Sequence, residues 1–159
     1  MLEREEWLNR IVIDGFELKK EEPTFHTVDG DYKLWEGVIL GGRGIYEGGI
    51  FRIRMKITRK YPFEPPVVSW ETPIWHPNIF NKKVCLGILG DDWAPANNFV
   101  AIVESLRFLL SHPNPYDYLN SLAAQQYLND FSRFVRKAKE WVNRYASSWH
   151  QARTFQNPV

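Results

Sequence analysis

The sequence predicts one α+β domain: a leading helix, a four-stranded antiparallel meander sheet, a long irregular segment, then helices to the C-terminus. Three observations carry that prediction. Trp7, Leu8, Ile11 and Val12 keep helical spacing among Glu, Asn and Arg. Phe51, Ile53, Met55 and Ile57 alternate with Arg52, Arg54, Lys56 and Thr58, the period-two pattern of a strand with one buried and one wet face. Helical spacing then returns at Phe99, Ile102, Val103, Leu106 and Leu110.

Taken in order, the first helix is predicted to stop near Asp14-Gly15, a turn-forming pair. Strand-like runs follow over Phe25 to Val28, Tyr32 to Leu40 and Ile50 to Thr58. They are separated by Asp29-Gly30 and Gly41-Gly42-Arg43-Gly44, short connections that favour antiparallel neighbours. Val67 to Trp70 supplies a fourth strand. The helix begun at Phe99 is stopped by His112-Pro113-Asn114-Pro115. Further helices run over Leu122 to Leu128 and from about Phe131, the last with the apolar stripe Phe131, Phe134, Val135, Ala138, Trp141, Val142 and Tyr145. The expected domain covers residues 1–146, with a polar tail over 147–159.

Composition narrows the function. At 159 residues the chain suits a single domain with a proper core. Its 44% hydrophobic and 25% charged residues, with a net charge of +1, point neither to disorder nor to a nucleic-acid partner. No apolar run is long enough for a bilayer span, and Met1-Leu2-Glu3-Arg4-Glu5-Glu6-Trp7 lacks the plan of a signal peptide, so a cytoplasmic protein without a membrane partner is expected. A single cysteine, Cys85, forms no internal disulfide, and no Cys-x-x-Cys pair offers a structural zinc site. Neither metal nor cofactor is expected. Cys85 is thus either packing, as free cysteine commonly is, or chemistry.

The segment from Tyr61 to Pro95 contains prolines 62, 65, 66, 73, 77 and 95 and no helical period, yet it stays rich in aromatic and apolar residues. Ordered irregular stretches of that length in compact domains usually carry function. Its motifs run Tyr61-Pro62-Phe63-Glu64-Pro65-Pro66, His76-Pro77-Asn78, Cys85-Leu86, then Trp93-Ala94-Pro95-Ala96. In that order they resemble the signature of ubiquitin-conjugating enzymes. Gly48-Gly49-Ile50-Phe51 resembles the family's turn into its third strand, and His112-Pro113-Asn114-Pro115 with Asp117 resembles the loop after its second helix. The resemblance extends to about Tyr145. It implies the family's α+β fold and its partners: ubiquitin or a ubiquitin-like protein, an activating enzyme, a ubiquitin ligase and a substrate lysine.

On that resemblance Cys85 is the acceptor thiol. A thiol takes an acyl group from another thioester at little free-energy difference and leaves readily when an amine attacks. Asn78 is the candidate donor for the charged oxygen of the tetrahedral intermediate, with local backbone bonding in a Pro-Asn turn as the alternative. His76, with Pro77, is expected to anchor the active-site loop rather than move protons. The second His-Pro-Asn, at residues 112–114, sits at a helix stop and needs no catalytic explanation. Asp117 just beyond it is the candidate that orients the ammonium of an incoming lysine and draws off its proton, with Tyr116 and Tyr118 as an apolar wall.

The sequence departs from the family in three places. Gly87 stands where many members carry an acidic residue two positions after the cysteine, which leaves Asp117 alone or aided by Asp91 or Asp92. The Asn78-to-Cys85 interval is one residue shorter than in common relatives. Glu3, Glu5 and Glu6 dilute the basic face of the first helix, implying a divergent activating enzyme. Phe63, Pro95 and Ala96 match the family's apolar knobs for ligases. The basic row Arg52, Arg54 and Lys56 resembles a strand face where some relatives hold a second modifier, a solvated sheet face being its simpler explanation.

Two other functions compete with this one. Relatives without the cysteine bind ubiquitin without chemistry, and Cys85 argues against that. A cysteine hydrolase would need His76 or His112 as its base. A metal site from Cys85 and scattered histidines is weaker still.

Overall fold

Helix α1 runs further than predicted, over Arg4–Glu21, in a computed structural model that describes residues 1–147. Asp14-Gly15 does not end it, because tertiary contacts occupy both residues. The bare backbone of Gly15 lies under Trp35, where a Cβ would sit 2.5 Å from the indole ring. Asp14 is buried and hydrogen-bonded on two sides. The helix ends instead at Glu22, whose backbone is non-helical and precedes Pro23, where the proline ring disfavours helical geometry. All but the first residue of the tail expected over 147–159 lies outside the described residues.

The sheet is the predicted meander. Strands β1 (His26–Val28), β2 (Asp31–Leu40), β3 (Ile50–Lys56) and β4 (Val67–Trp70) pair antiparallel in the order β1-β2-β3-β4. Asp29 and Gly30 both have positive φ, at 53° and 71°, as the two-residue hairpin turn between β1 and β2 requires. Phe51, Ile53 and Met55 face the core, while Arg54 and Lys56 on the alternate face are exposed. A second, two-stranded sheet, β5 (Ile79–Phe80) with β6 (Lys83–Val84), lies inside the segment predicted to be irregular.

Three helices follow. Helices α2 (Phe99–Ser111), α3 (Ser121–Asn129) and α4 (Phe131–Tyr145) begin at Asn98, Asn120 and Asp130, whose side chains accept from the backbone N–H three residues on. Helices α1 and α2 pack together and against β2. The core between them is built on Ile11, Leu18, Trp35, Ile39, Phe99, Ile102 and Leu106, all fully buried. Helix α4 returns to the sheet, where Ala146 O accepts from Ile50 N at the start of β3. No helix among the described residues is long and apolar enough to cross a membrane.

A polar clamp sets α1 against the loops. Arg10 Nε and the Tyr61 hydroxyl both donate to Asp14 Oδ2. Arg10 also donates through Nη2 to Pro95 O and Asn97 O, each at 2.8 Å, while its guanidinium lies over the Tyr61 ring. Burial, reinforced by the bond to Asp14, raises the Tyr61 hydroxyl well above its ordinary pKa and keeps it a donor. Asp14→Ala strands these donors with little access to water, so it is expected to lower the unfolding free energy by about 3 kcal/mol in urea titration. A loss below about 1 kcal/mol would show that water replaces the carboxylate without difficulty.

Candidate active site

The segment leading to Cys85 is held from beneath by aromatic residues. Tyr46 is buried, donates its hydroxyl to Trp75 O at 2.6 Å, and stacks on the His76 ring. Trp75 donates Nε1 to Gln126 on α3 and packs against Trp141 on α4, with the Lys137 ammonium 3.6 Å from its ring centroid. The loop therefore rests on both C-terminal helices.

His76 has no exposed surface. Its Nε2 donates to Leu109 O at 3.0 Å, so Nδ1 carries the lone pair and accepts from Asn78 N at 2.9 Å. Burial lowers its pKa to about 4, with the bond to Leu109 acting the other way. A neutral ring with both nitrogens engaged is an anchor and has no free site for a substrate proton.

After Asn78 the chain folds into the unpredicted hairpin. Asn81 and Lys82 have positive φ, 49° and 65°, giving a two-residue turn between β5 and β6. This tight turn absorbs the short interval from Asn78 to Cys85, and Cys85 N donates to Asn78 O at 2.8 Å. The Asn78 side chain points at the loop after α2. Its Nδ2 donates to Asn114 O and to Asp117 O, and its Oδ1 accepts from Asn114 N at 2.8 Å. Pro77 O accepts from both Leu119 N and Asn120 N.

Those bonds bring the sequence's three candidates together. Cys85 is half-buried, and its Sγ lies 3.4 Å from Asp117 Oδ2, to which the thiol donates. Burial first, then the hydrogen bond and negative charge of Asp117, raise the thiol pKa above its ordinary value. Asp117 is exposed on its other side, and so are Tyr116 and Tyr118, expected as an apolar wall. His112 stacks on Phe108 and its Nδ1 meets Phe108 O, one turn back on α2. Sequence reasoning passed over Tyr46 and Asn114. Asn114 belongs to the second His-Pro-Asn triplet, and that repeat was the available signal.

A family model described as ubiquitin-conjugating enzyme matches residues 12–142. The chain belongs to the ubiquitin-conjugating enzyme family. Ubiquitin-conjugating enzyme E2 1 of Schizosaccharomyces pombe is 37% identical over 125 residues, covering 77% of this chain and 58% of its own length. Ubiquitin-conjugating enzyme E2 27 of Arabidopsis thaliana is 40% identical over 113 residues, covering 69% and 59% respectively. The chain therefore spans a little under three-fifths of these two curated relatives. Among solved structures, the E2 domain of a Toxoplasma gondii ubiquitin conjugating enzyme superposes with TM-score 0.81 at 31% identity, over 88% of this chain and 99% of its own. A candidate ubiquitin conjugating enzyme from Plasmodium yoelii gives TM-score 0.82 at 30% identity, over 93% and 99%.

The loops that carry Phe63 and Pro95 adjoin one another. Trp93 Nε1 donates to Pro62 O at 2.8 Å and its ring packs against Tyr61, while Phe63 is 52% exposed beside them. Pro95 and Ala96 are exposed on the loop that Arg10 grips. On the sheet face, Arg54 pairs with Glu36, which also meets His26. Among the described residues no group of three His, Cys, Asp or Glu side chains is placed to hold a metal ion.

Two measurements test this geometry. Because Asp117 contributes to holding the thiol protonated, Asp117→Asn is expected to shift the pH midpoint of Cys85 alkylation by iodoacetamide downward; an unmoved midpoint contradicts the contact. The depressed His76 pKa contributes stability that is complete above the unfolded value near 6.5 and is lost as pH falls toward 4. That loss reaches about 3 kcal/mol, and urea titrations at pH 7, 5.5 and 4.5 should show a shallower decline in His76→Gln than in the wild type.

Proposed function

We propose that the chain accepts ubiquitin or a ubiquitin-like modifier from an activating enzyme as a thioester on Cys85 and passes it to a lysine amine, with a ligase. The observation that carries this reading is the contact between the only cysteine and the carboxylate of Asp117. A carboxylate against a thiol suppresses the thiolate, the opposite of what a hydrolytic nucleophile needs, but it suits a site that must receive a cationic amine.

Loading forms the bond between Cys85 Sγ and the modifier's carbonyl carbon, and the thiol proton leaves with the activating enzyme's released thiol. In discharge the lysine ammonium gives a proton to Asp117. The freed amine nitrogen then attacks the carbonyl carbon, and the carbon–sulfur bond breaks as the tetrahedral intermediate collapses. The nitrogen sheds its second proton as the amide forms, the departing thiolate takes that proton up to restore the Cys85 thiol, and Asp117 releases its own to solvent. Asn78 acts by holding Asp117 and Cys85 in mutual register; serving the charged oxygen as well would require its amide to give up Asn114 O or Asp117 O. His76, which accepts from Asn78 N, secures the loop together with Pro77.

Phe63, Pro95 and Ala96 form the surface offered to a ligase. The acidic start of α1, with Arg10 turned inward to the loops, favours an activating enzyme adapted to it. Residues 1–146 are the working unit, in the cytoplasm. A hydrolase is the weaker reading, because the thiol's polar contact is a carboxylate and both ring nitrogens of His76 are engaged. A binding-only protein would have no use for this pair.

The test is incubation with ubiquitin, its activating enzyme and ATP. An adduct should form that reducing agent cleaves and that Cys85→Ala lacks. A thiol that stays free with every modifier tried would end the carrier reading. Asp117→Ala should slow discharge to free lysine by about 10² while loading falls much less; equal losses in both steps would rule out the proposed role.

A further inference from the structure

We infer that the cavity between the end of β4, the β5–β6 hairpin and helix α4 binds a small neutral molecule that carries a carbonyl acceptor on an apolar ring. The inference is independent of the carrier reading, because Cys85, Asn78 and Asp117 do not line this cavity. Its volume is about 290 Å³, at the lower limit of small-molecule sites, which suits one ring with a short polar group.

The lining selects the class of ligand. Trp70, Ile74, Ile79, Phe80 and Trp141 supply apolar walls, and Asn120 stands among them. The two charged residues of the lining, Glu71 and Lys82, pair with each other at 3.0 Å, so an ion finds no uncompensated charge there. A neutral ligand fits that balance.

Two buried donors ask for its acceptor. Asn120 is 6% exposed, and its Oδ1 accepts from Ala123 N as the cap of α3. That bond fixes which end of the amide is oxygen, and no acceptor among the described residues takes the hydrogens of Nδ2. Trp70 is 1% exposed, and its Nε1 is the one buried side-chain nitrogen or oxygen among the described residues without a hydrogen-bond partner. Buried donors left unpaired are costly, whereas a carbonyl oxygen offers two lone pairs to such groups. The backbone of Asn120 also donates to Pro77 O, and Ile79 directly follows Asn78. A molecule held by Asn120 therefore leans on the loop of the candidate active site without entering it.

The experiment titrates the full-length protein with acetanilide and with N-ethylaniline, which keeps the ring and nitrogen but has no carbonyl, and follows both by nitrogen-15 NMR. A ligand of about ten non-hydrogen atoms binds in the millimolar range at ordinary efficiency. Acetanilide should shift the Asn120 side-chain amide and the Trp70 indole N–H saturably, and N-ethylaniline should bind about fivefold more weakly, the worth of one hydrogen bond. Asn120→Asp keeps the oxygen that caps α3 and removes the donor. It should weaken acetanilide about fivefold and leave N-ethylaniline unchanged. The comparison of the two ligands on the unaltered protein stands even where the variant fails to fold. An Asn120 amide that does not move, equal affinity for the two ligands, or an equal loss of both in the variant would each overturn the inference, the first by showing that water serves these donors.

Discussion

Asn78 joins two stretches of chain that fold separately, and the rest of the site takes its geometry from that junction. Its backbone carbonyl accepts from Cys85 N and so sets the end of the β5–β6 hairpin. Its side chain engages Asn114 and Asp117 and so sets the loop after α2. One residue thereby determines where both the thiol and the carboxylate stand. With 2% of its surface exposed, the amide has no water to substitute for a lost partner, and each bond is costly to break. The junction in turn depends on His76, whose unprotonated Nδ1 receives the Asn78 N–H, and on Tyr46, stacked against that ring. A protonated His76 would offer a donor where an acceptor is needed, which is why its deep burial matters to the loop it anchors.

On the carrier reading proposed above, Asp117 would have two opposing effects at different stages. Against the free thiol it accepts the S–H and holds the proton in place, so the resting protein has a poor nucleophile. Once sulfur carries an acyl group that donor is gone, and the same oxygen is left unpaired beside a carbonyl about to be attacked. An arriving ammonium is a partner that oxygen can take. On that reading the carboxylate favours a quiet thiol before loading and an occupied amine site after it.

The sequence exposes the periodic parts of this structure clearly. The β4 limits, the alternation of β3 and the onset of α2 at Phe99 follow directly from spacing, because each buries one face against the core. Asp14-Gly15 misleads because a turn signal is local, whereas Trp35 and Tyr61, which hold those two residues in the helix, come from distant strands and loops. The hairpin at 79–84 is too short to show a period. Cys85, Asn78 and Asp117 are legible as residues, but the direction of the Asn78 amide is not, since its acceptors lie 36 and 39 positions away. Asn114 repeats the triplet of the first loop and is read as a helix stop; the repeat marks the residue, but its bonds to Asn78 run through its backbone, whose direction the repeat does not disclose.

The same distinction governs the loops assigned to partner binding. Phe63, Pro95 and Ala96 are exposed, yet the backbone under them is held: Pro62 O by Trp93, Pro95 O and Asn97 O by Arg10, and Arg10 itself by buried Asp14. A partner that docks on such loops orders side chains without having to order the chain, so less of its contact energy is spent on entropy. Trp93 also bonds through its backbone N to Gly90 O, which ties the turn after Cys85 to the loop at Pro62.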